Sequence, residues 1–177
     1  VSRNATVLES IRSSKDHDLD VAAYAKSLDE KERGVLLGPF EVLENLGLGH
    51  VCLVPRRGIW ESHGGATDMT CRVIDDLLFG EQNDTVERFS SHRLTDVDAL
   101  AAQVRAVSHC FAGRAVSGWP SDFSNAYKQV PGDPAQRRFV VVAQWCPYRG
   151  RPVLWIALSQ LFGGASSPRH FFAASSM

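Results

Sequence analysis

Apolar and polar positions alternate along this chain in blocks that predict a mixture of helices and strands. Over residues 18–33, Val21, Tyr24, Ala25 and Leu28 recur at helical spacing, and Gly34 stands where a helix would end. The box Ser27-x-x-Glu30 inside that stretch could restart the helix, so the pattern predicts one amphipathic helix or a broken pair. After Gly38-Pro39, residues 50–55 (HVCLVP) form a short β-prone run closed by Pro55. Residues 56–68, rich in Gly and polar side chains, read as a loop, and residues 69–75 (MTCRVID) read as the returning strand of a hairpin with a long tip.

Residues 96–111 predict a packing helix, with Val97, Leu100, Ala101, Val104, Val107 and Phe111 on one face, Thr95 or Asp96 as cap and Gly113 as stop. A strand is expected over 116–123, reaching Asp122, followed by a short helical turn at 125–129 and the turn Pro131-Gly132-Asp133-Pro134. Two apolar runs, 139–145 and 153–158, are separated by Pro147-Tyr148-Arg149-Gly150 and predict an antiparallel hairpin. A closing helix is expected from Ser167, with Pro168 at its first position, where a missing N–H costs nothing. The expected fold class is α+β.

A chain of 177 residues, 44% hydrophobic and 22% charged, has room for about one globular core. No apolar run approaches the roughly 18 residues that span a bilayer, and the N-terminal VSRNATVLES has no basic or apolar leader character, so an intracellular protein without a membrane partner is expected. Cys52, Cys71, Cys110 and Cys146 lack C-x-x-C spacing, which disfavours a zinc ribbon or a disulfide framework. The net charge of −1 hides an asymmetry: residues 1–100 carry 11 Lys/Arg against 18 Asp/Glu, and residues 101–177 carry 8 against 2, a net +6. A basic segment of that kind suits a polyanion, with Lys128, Arg137, Arg138, Arg149, Arg151 and Arg169 as phosphate-contact candidates.

Three blocks then stand out. The first is Cys71-Arg72-Val73-Ile74-Asp75-Asp76 with Asn83 further on. The second is the run from Ser121 through Asp122, Phe123, Asn125, Ala126, Tyr127, Lys128 and Gln129 to Pro131, and the third is Leu161-Phe162-Gly163 with Ser167-Pro168 and Phe171. In this order they resemble the fingers and palm motifs of retroelement-type reverse transcriptases, RNA-directed DNA polymerases, over roughly residues 30–177, the lead-in GVLLGPF included. The resemblance implies a right-hand polymerase fingers and palm, an antiparallel sheet packed on helices, divided as a helical lead-in (1–34), a fingers-like region (35–115) and a partial palm (116–177). It also implies that the chain is a piece that stops before the family's aromatic-x-Asp-Asp hairpin, and that on its own it is inactive.

By the same resemblance Asp122 is the catalytic carboxylate. It would bind two Mg²⁺ ions with the carbonyl of Phe123, hard oxygen donors suited to that ion in two-metal phosphoryl transfer. Arg72 would grip the triphosphate through its planar fork. Tyr127 would lie under the sugar, and Phe162 and Gly163 would form the loop against the incoming nucleotide, Gly163 because close approach requires the lack of a side chain. The partners implied are an RNA template, a DNA primer and deoxynucleoside triphosphates.

Read without the resemblance, Asp122 caps the turn after it, Tyr127 is a half-buried aromatic, and Arg72 pairs with Asp75 or Asp76. Two rival functions remain: a non-catalytic retroelement remnant or nucleic-acid-binding module, and a metal-dependent hydrolase using Asp75, Asp76, Asp122 and some of His63, His92, His109 and His170.

Overall fold

The structure is a computed structural model that describes residues 3–62, 69–85, 97–111, 114–115, 126–164 and 167. Its centre is the hairpin formed by the two apolar runs, β4 (Val141–Cys146) and β5 (Arg151–Ala157), paired antiparallel from Val141↔Ile156 to Cys146↔Arg151. Gly150 closes the turn at φ 61°, and the N–H groups of Arg149 and Gly150 both donate to the Cys146 carbonyl. All of β4 except Trp145 is buried. The strand is therefore covered on both faces, which explains an apolar run in place of alternation.

Around this hairpin the sheet takes the order β1-β5-β4-β2-β3, where β1 is Leu36–Phe40, β2 Leu53–Ser62 and β3 Met69–Asp75. β2 runs parallel to β4, and the other neighbours are antiparallel. The fold is thus α+β, but the sheet is mixed rather than antiparallel as expected, because β2 and β4 run parallel, and it draws strands from both the 35–115 and the 116–177 regions.

Two helices cover opposite faces. α1 (Arg3–Ser10) sets Val7, with Ile11 just beyond it, against Leu53, Val141, Ala143, Leu154 and Ile156. The Asn4 amide fixes it to the sheet, donating to the Val51 carbonyl (2.7 Å) and accepting from the Leu53 N–H (3.1 Å). α2 (His17–Glu32) brings Tyr24 to Val54, Val142, Cys146, Val153 and Trp155 on the other face. Asp16 caps α2 by accepting from the Leu19 N–H, and Gly34, at φ 73°, lies just past its end.

Three expectations need correction here. The box Ser27-x-x-Glu30 does not restart the helix: α2 runs through it unbroken, and both side chains turn instead to Arg56. Pro55 does not close its strand, because β2 continues to Ser62 through the expected loop. The Pro55 carbonyl, accepting from the Asp76 N–H, points toward the β3 side, and the β2–β3 ladder begins only at Arg56↔Asp75. Its missing N–H therefore costs no ladder bond. Gly58 is a crossing point rather than a loop residue, since a Cβ there would lie 2.8 Å from the Ala23 Cβ and 3.1 Å from the Leu19 side chain on α2.

Residues 88–124 cluster as a separate unit, containing α3 (Val97–Cys110). Of its expected packing stripe, Val104 and Val107, with Phe111 just past the helix, are exposed. The strand expected over 116–123 and the closing helix beyond Ser167 lie outside the described residues.

Candidate functional site

A buried chain of charges lies where α2, β2, β3 and the turn Ala126–Gln129 meet. Arg56 points from β2 to the α2 side and has no exposed side-chain surface. Its Nε and Nη2 donate to the two carboxylate oxygens of Asp75 at 2.6 and 2.9 Å. Its Nη1 donates to Glu30 Oε2 at 2.8 Å and to Ser27 Oγ at 3.0 Å. Lys128 completes the chain by donating to Glu30 Oε1. Two cations and two carboxylates thus balance in a nearly water-free space, the condition under which buried charges persist. Burial alone would raise the Glu30 pKa, but the charges and hydrogen bonds of Arg56 and Lys128 outweigh it and hold the carboxyl below its ordinary range. Burial likewise opposes charge on Arg56, and Asp75 and Glu30 push its pKa up regardless.

Beside this chain lies a smaller, more open cluster. Phe162 is 51% exposed, with the Tyr127 ring tilted 58° against it at 4.9 Å between centroids. The Arg72 guanidinium stands 5.7 Å from the Phe162 centroid and is held by Glu61 at 3.0 Å, a diagonal neighbour across the β2–β3 ladder. Gly163 follows at φ 90°, its carbonyl accepting from the Asn83 amide at 3.0 Å. A Cβ on Gly163 would meet the Asp75 carbonyl at 3.5 Å, so the cluster and the charge chain share the end of β3.

The structure therefore brings together Arg72, Tyr127, Phe162 and Gly163, and adds Asn83 from the first block. Asp122 and Phe123, expected as metal ligands, lie outside the described residues, as do His63, His92, His170 and Arg169. Among the described residues no three His, Cys, Asp or Glu side chains gather as a metal site.

Arg72 does not pair with Asp75 or Asp76, its expected local partners. Both oxygens of Asp75 face Arg56, while Asp76 accepts from the Phe79 N–H and lies 3.5 Å from Arg57. Those engagements also disfavour the two aspartates as hydrolase ligands. Of the basic candidates, Lys128 is tied to Glu30, Arg149 and Arg151 both pair with Glu41, and Arg138 lies over Phe139.

The exposed Phe162 ring can offer an apolar face flanked by a planar cation. Aromatic faces of this kind take up nucleobases or sugars, and a guanidinium forks to phosphate oxygens. The Arg72 and Glu61 side chains are 47% and 38% exposed. An ion pair this exposed is worth about 0–1 kcal/mol, so an incoming phosphate could replace Glu61 at little cost. A cavity of about 920 Å³ is lined partly by Asn83, Leu161 and Gly164, next to this loop. It falls within the size range of small-molecule sites.

Sequence reasoning missed Arg56, Glu30 and Ser27 as a unit. The signal was present in the same-face series Val54, Arg56, Gly58, Trp60, which marks Arg56 as inward-facing once the strand is extended past Pro55. No protein-family model matches the chain, and no curated protein sequence matches it significantly.

Proposed function

We propose that this chain is part of an RNA-directed DNA polymerase, contributing a site that contacts the incoming deoxynucleotide. The observation that carries the reading is the meeting of Arg72, Tyr127, Phe162 and Gly163, drawn from three separate sequence blocks, beside β3. Each has a local reason to exist in a strand, turn or loop, and none of those reasons requires the three blocks to converge. A guanidinium beside two tilted rings and a glycine loop suits a triphosphate with its sugar and base. In this reading Asp122, four residues before the turn that bears Tyr127, supplies the metal-binding carboxylate.

The test begins with the chain itself, titrated with dATP while fluorescence of the tyrosines and tryptophans is followed. Saturable binding is expected, weakened about tenfold by Arg72→Ala, the loss of one charge-assisted contact. The gene product containing this chain should extend a DNA primer on an RNA template, and Asp122→Asn should abolish extension. Absence of dATP binding at millimolar concentration, or extension unaffected by Asp122→Asn, would remove the polymerase reading. Binding without extension would favour the nucleic-acid-binding module.

A further inference from the structure

The turn Ala126–Gln129 that carries Tyr127 is held from two sides. On one, the Val130 carbonyl accepts from the Gln160 N–H (2.9 Å), Pro131 bridges Ser159, and the Gly132 N–H donates to the Leu158 carbonyl (2.8 Å). This fixes the turn to the segment that runs on into Phe162. On the other side, Lys128 reaches Glu30, and through Arg56 and Asp75 the contact continues to the end of β3, three residues from Arg72. The backbone ties set Tyr127 relative to Phe162, and the charge chain sets both relative to the strand that bears Arg72.

We infer that Lys128 is a positioning residue: by closing the Glu30–Arg56–Asp75 chain, it fixes the Tyr127–Phe162 pair at its spacing from Arg72. Its functional consequence rests on the nucleotide-site reading above, while its geometric consequence stands without it. The physical reason is charge balance. The Lys128 side chain is 12% exposed and the Glu30 side chain 5%. Removing the ammonium leaves two carboxylates sharing one guanidinium in a space that cannot hydrate the excess charge. The least costly relaxation is for Glu30 to draw in water by pushing the turn away, which moves Tyr127.

The chain holds three tyrosines. Tyr24 and Tyr148 touch edge-on at 5.7 Å, and Tyr24 packs on Trp155 at 5.8 Å, so they report on the contact of α2 with the sheet. Protein made with 3-fluorotyrosine gives three fluorine resonances, assigned by Tyr→Phe variants. Lys128→Met is expected to move the Tyr127 resonance toward its position in Arg72→Ala, with the other two resonances in place. Lys128→Arg, which keeps the charge, is expected to restore it. An unmoved Tyr127 resonance in Lys128→Met overturns the inference, as does a Lys128→Arg variant displaced as far as Lys128→Met. Should Lys128→Met fail to fold, Glu30→Gln, which preserves shape, is read by the same criteria.

Addition of dATP to the same samples separates this inference from the reading it rests on. Wild type should show a saturable shift of the Tyr127 resonance, with affinity on the order of tenfold weaker in Lys128→Met and near wild type in Lys128→Arg, the range expected for a supporting contact. No dATP response in wild type sinks the nucleotide reading, and the resonance positions alone then decide the positioning role.

Discussion

Replacing Arg56 by Met would remove the one guanidinium that serves three partners at the junction of α2, β2 and β3. Asp75, whose side chain is 2% exposed, loses a two-pronged partner, and Ser27 and Glu30 each lose one hydrogen bond. Lys128 remains to balance Glu30, but nothing in the described network remains for Asp75. Breaking a buried ion pair from one side costs about 3–5 kcal/mol, mostly because a carboxylate is left uncompensated. For a chain of this size each kcal/mol shifts Tm by roughly 2–4 °C, so a fall of about 6–20 °C is expected. Urea unfolding followed by tryptophan fluorescence measures the change, with fully buried Trp155 as an internal reporter. Arg56→Lys separates charge from geometry: it keeps one cation but not the fork, so its loss should fall between wild type and Arg56→Met. A loss in Arg56→Met below about 1 kcal/mol, the size of an exposed pair, would refute the argument that this network is buried and balanced.

Two further perturbations test the same frame. The Glu30 carboxyl is held below its ordinary value of 4.5, so it contributes stability that is fully present above about pH 4.5 and is lost as pH falls through its folded-state pKa. Glu30→Gln should therefore flatten the acid limb of a stability-against-pH curve from about pH 5 downward, and an unchanged slope would count against the pairing. Gly58→Val would force β2 away from α2, because its Cβ would meet Ala23 at 2.8 Å and Leu19 at 3.1 Å. Overpacking of that kind costs about 1–3 kcal/mol, read as a lower urea midpoint with unchanged slope. A stability equal to wild type would mean that the helix does not cross the strand there.

Where the chain pattern was locally sufficient, sequence and structure agree. The helix expected over 18–33 is α2, His17–Glu32, and the strand expected over 69–75 is β3, Met69–Asp75. The hairpin around residues 147–150 forms with its ends moved by two residues or fewer. Signals that depend on the neighbour were misread. Residues 56–62 look like a loop because Arg56, Arg57 and Gly58 interrupt the apolar pattern. Yet Arg56 is there to be paired by α2 and β3, and Gly58 to let α2 pass. α1 gave no expectation at all: eight residues with two apolar contacts, Val7 and Leu8, are too few to show a period, and its stability comes from the sheet.

The same distinction explains why the candidate site was more legible than its support. Arg72, Tyr127, Phe162 and Gly163 each sit in a short stretch whose residue types and order already resemble a motif, so they could be named one stretch at a time. Arg56, Glu30 and Lys128 belong to a helix interior, a strand and a turn with nothing unusual in their local surroundings, and their meaning arises only when the chain closes. Yet the two sets are physically joined, since Asp75 and Gly163 meet at the end of β3 and Lys128 follows Tyr127 directly. A site made of exposed rings and a half-exposed cation has little cohesion of its own: a cation over a ring is worth roughly 0.5–1 kcal/mol when exposed, and a ring pair about as much. Its geometry must therefore be set by something else, and the balanced charge chain beside it holds the most deeply buried ion pairs among the described residues. Substitutions in that chain should thus disturb the site more than substitutions of the same size elsewhere on its rim.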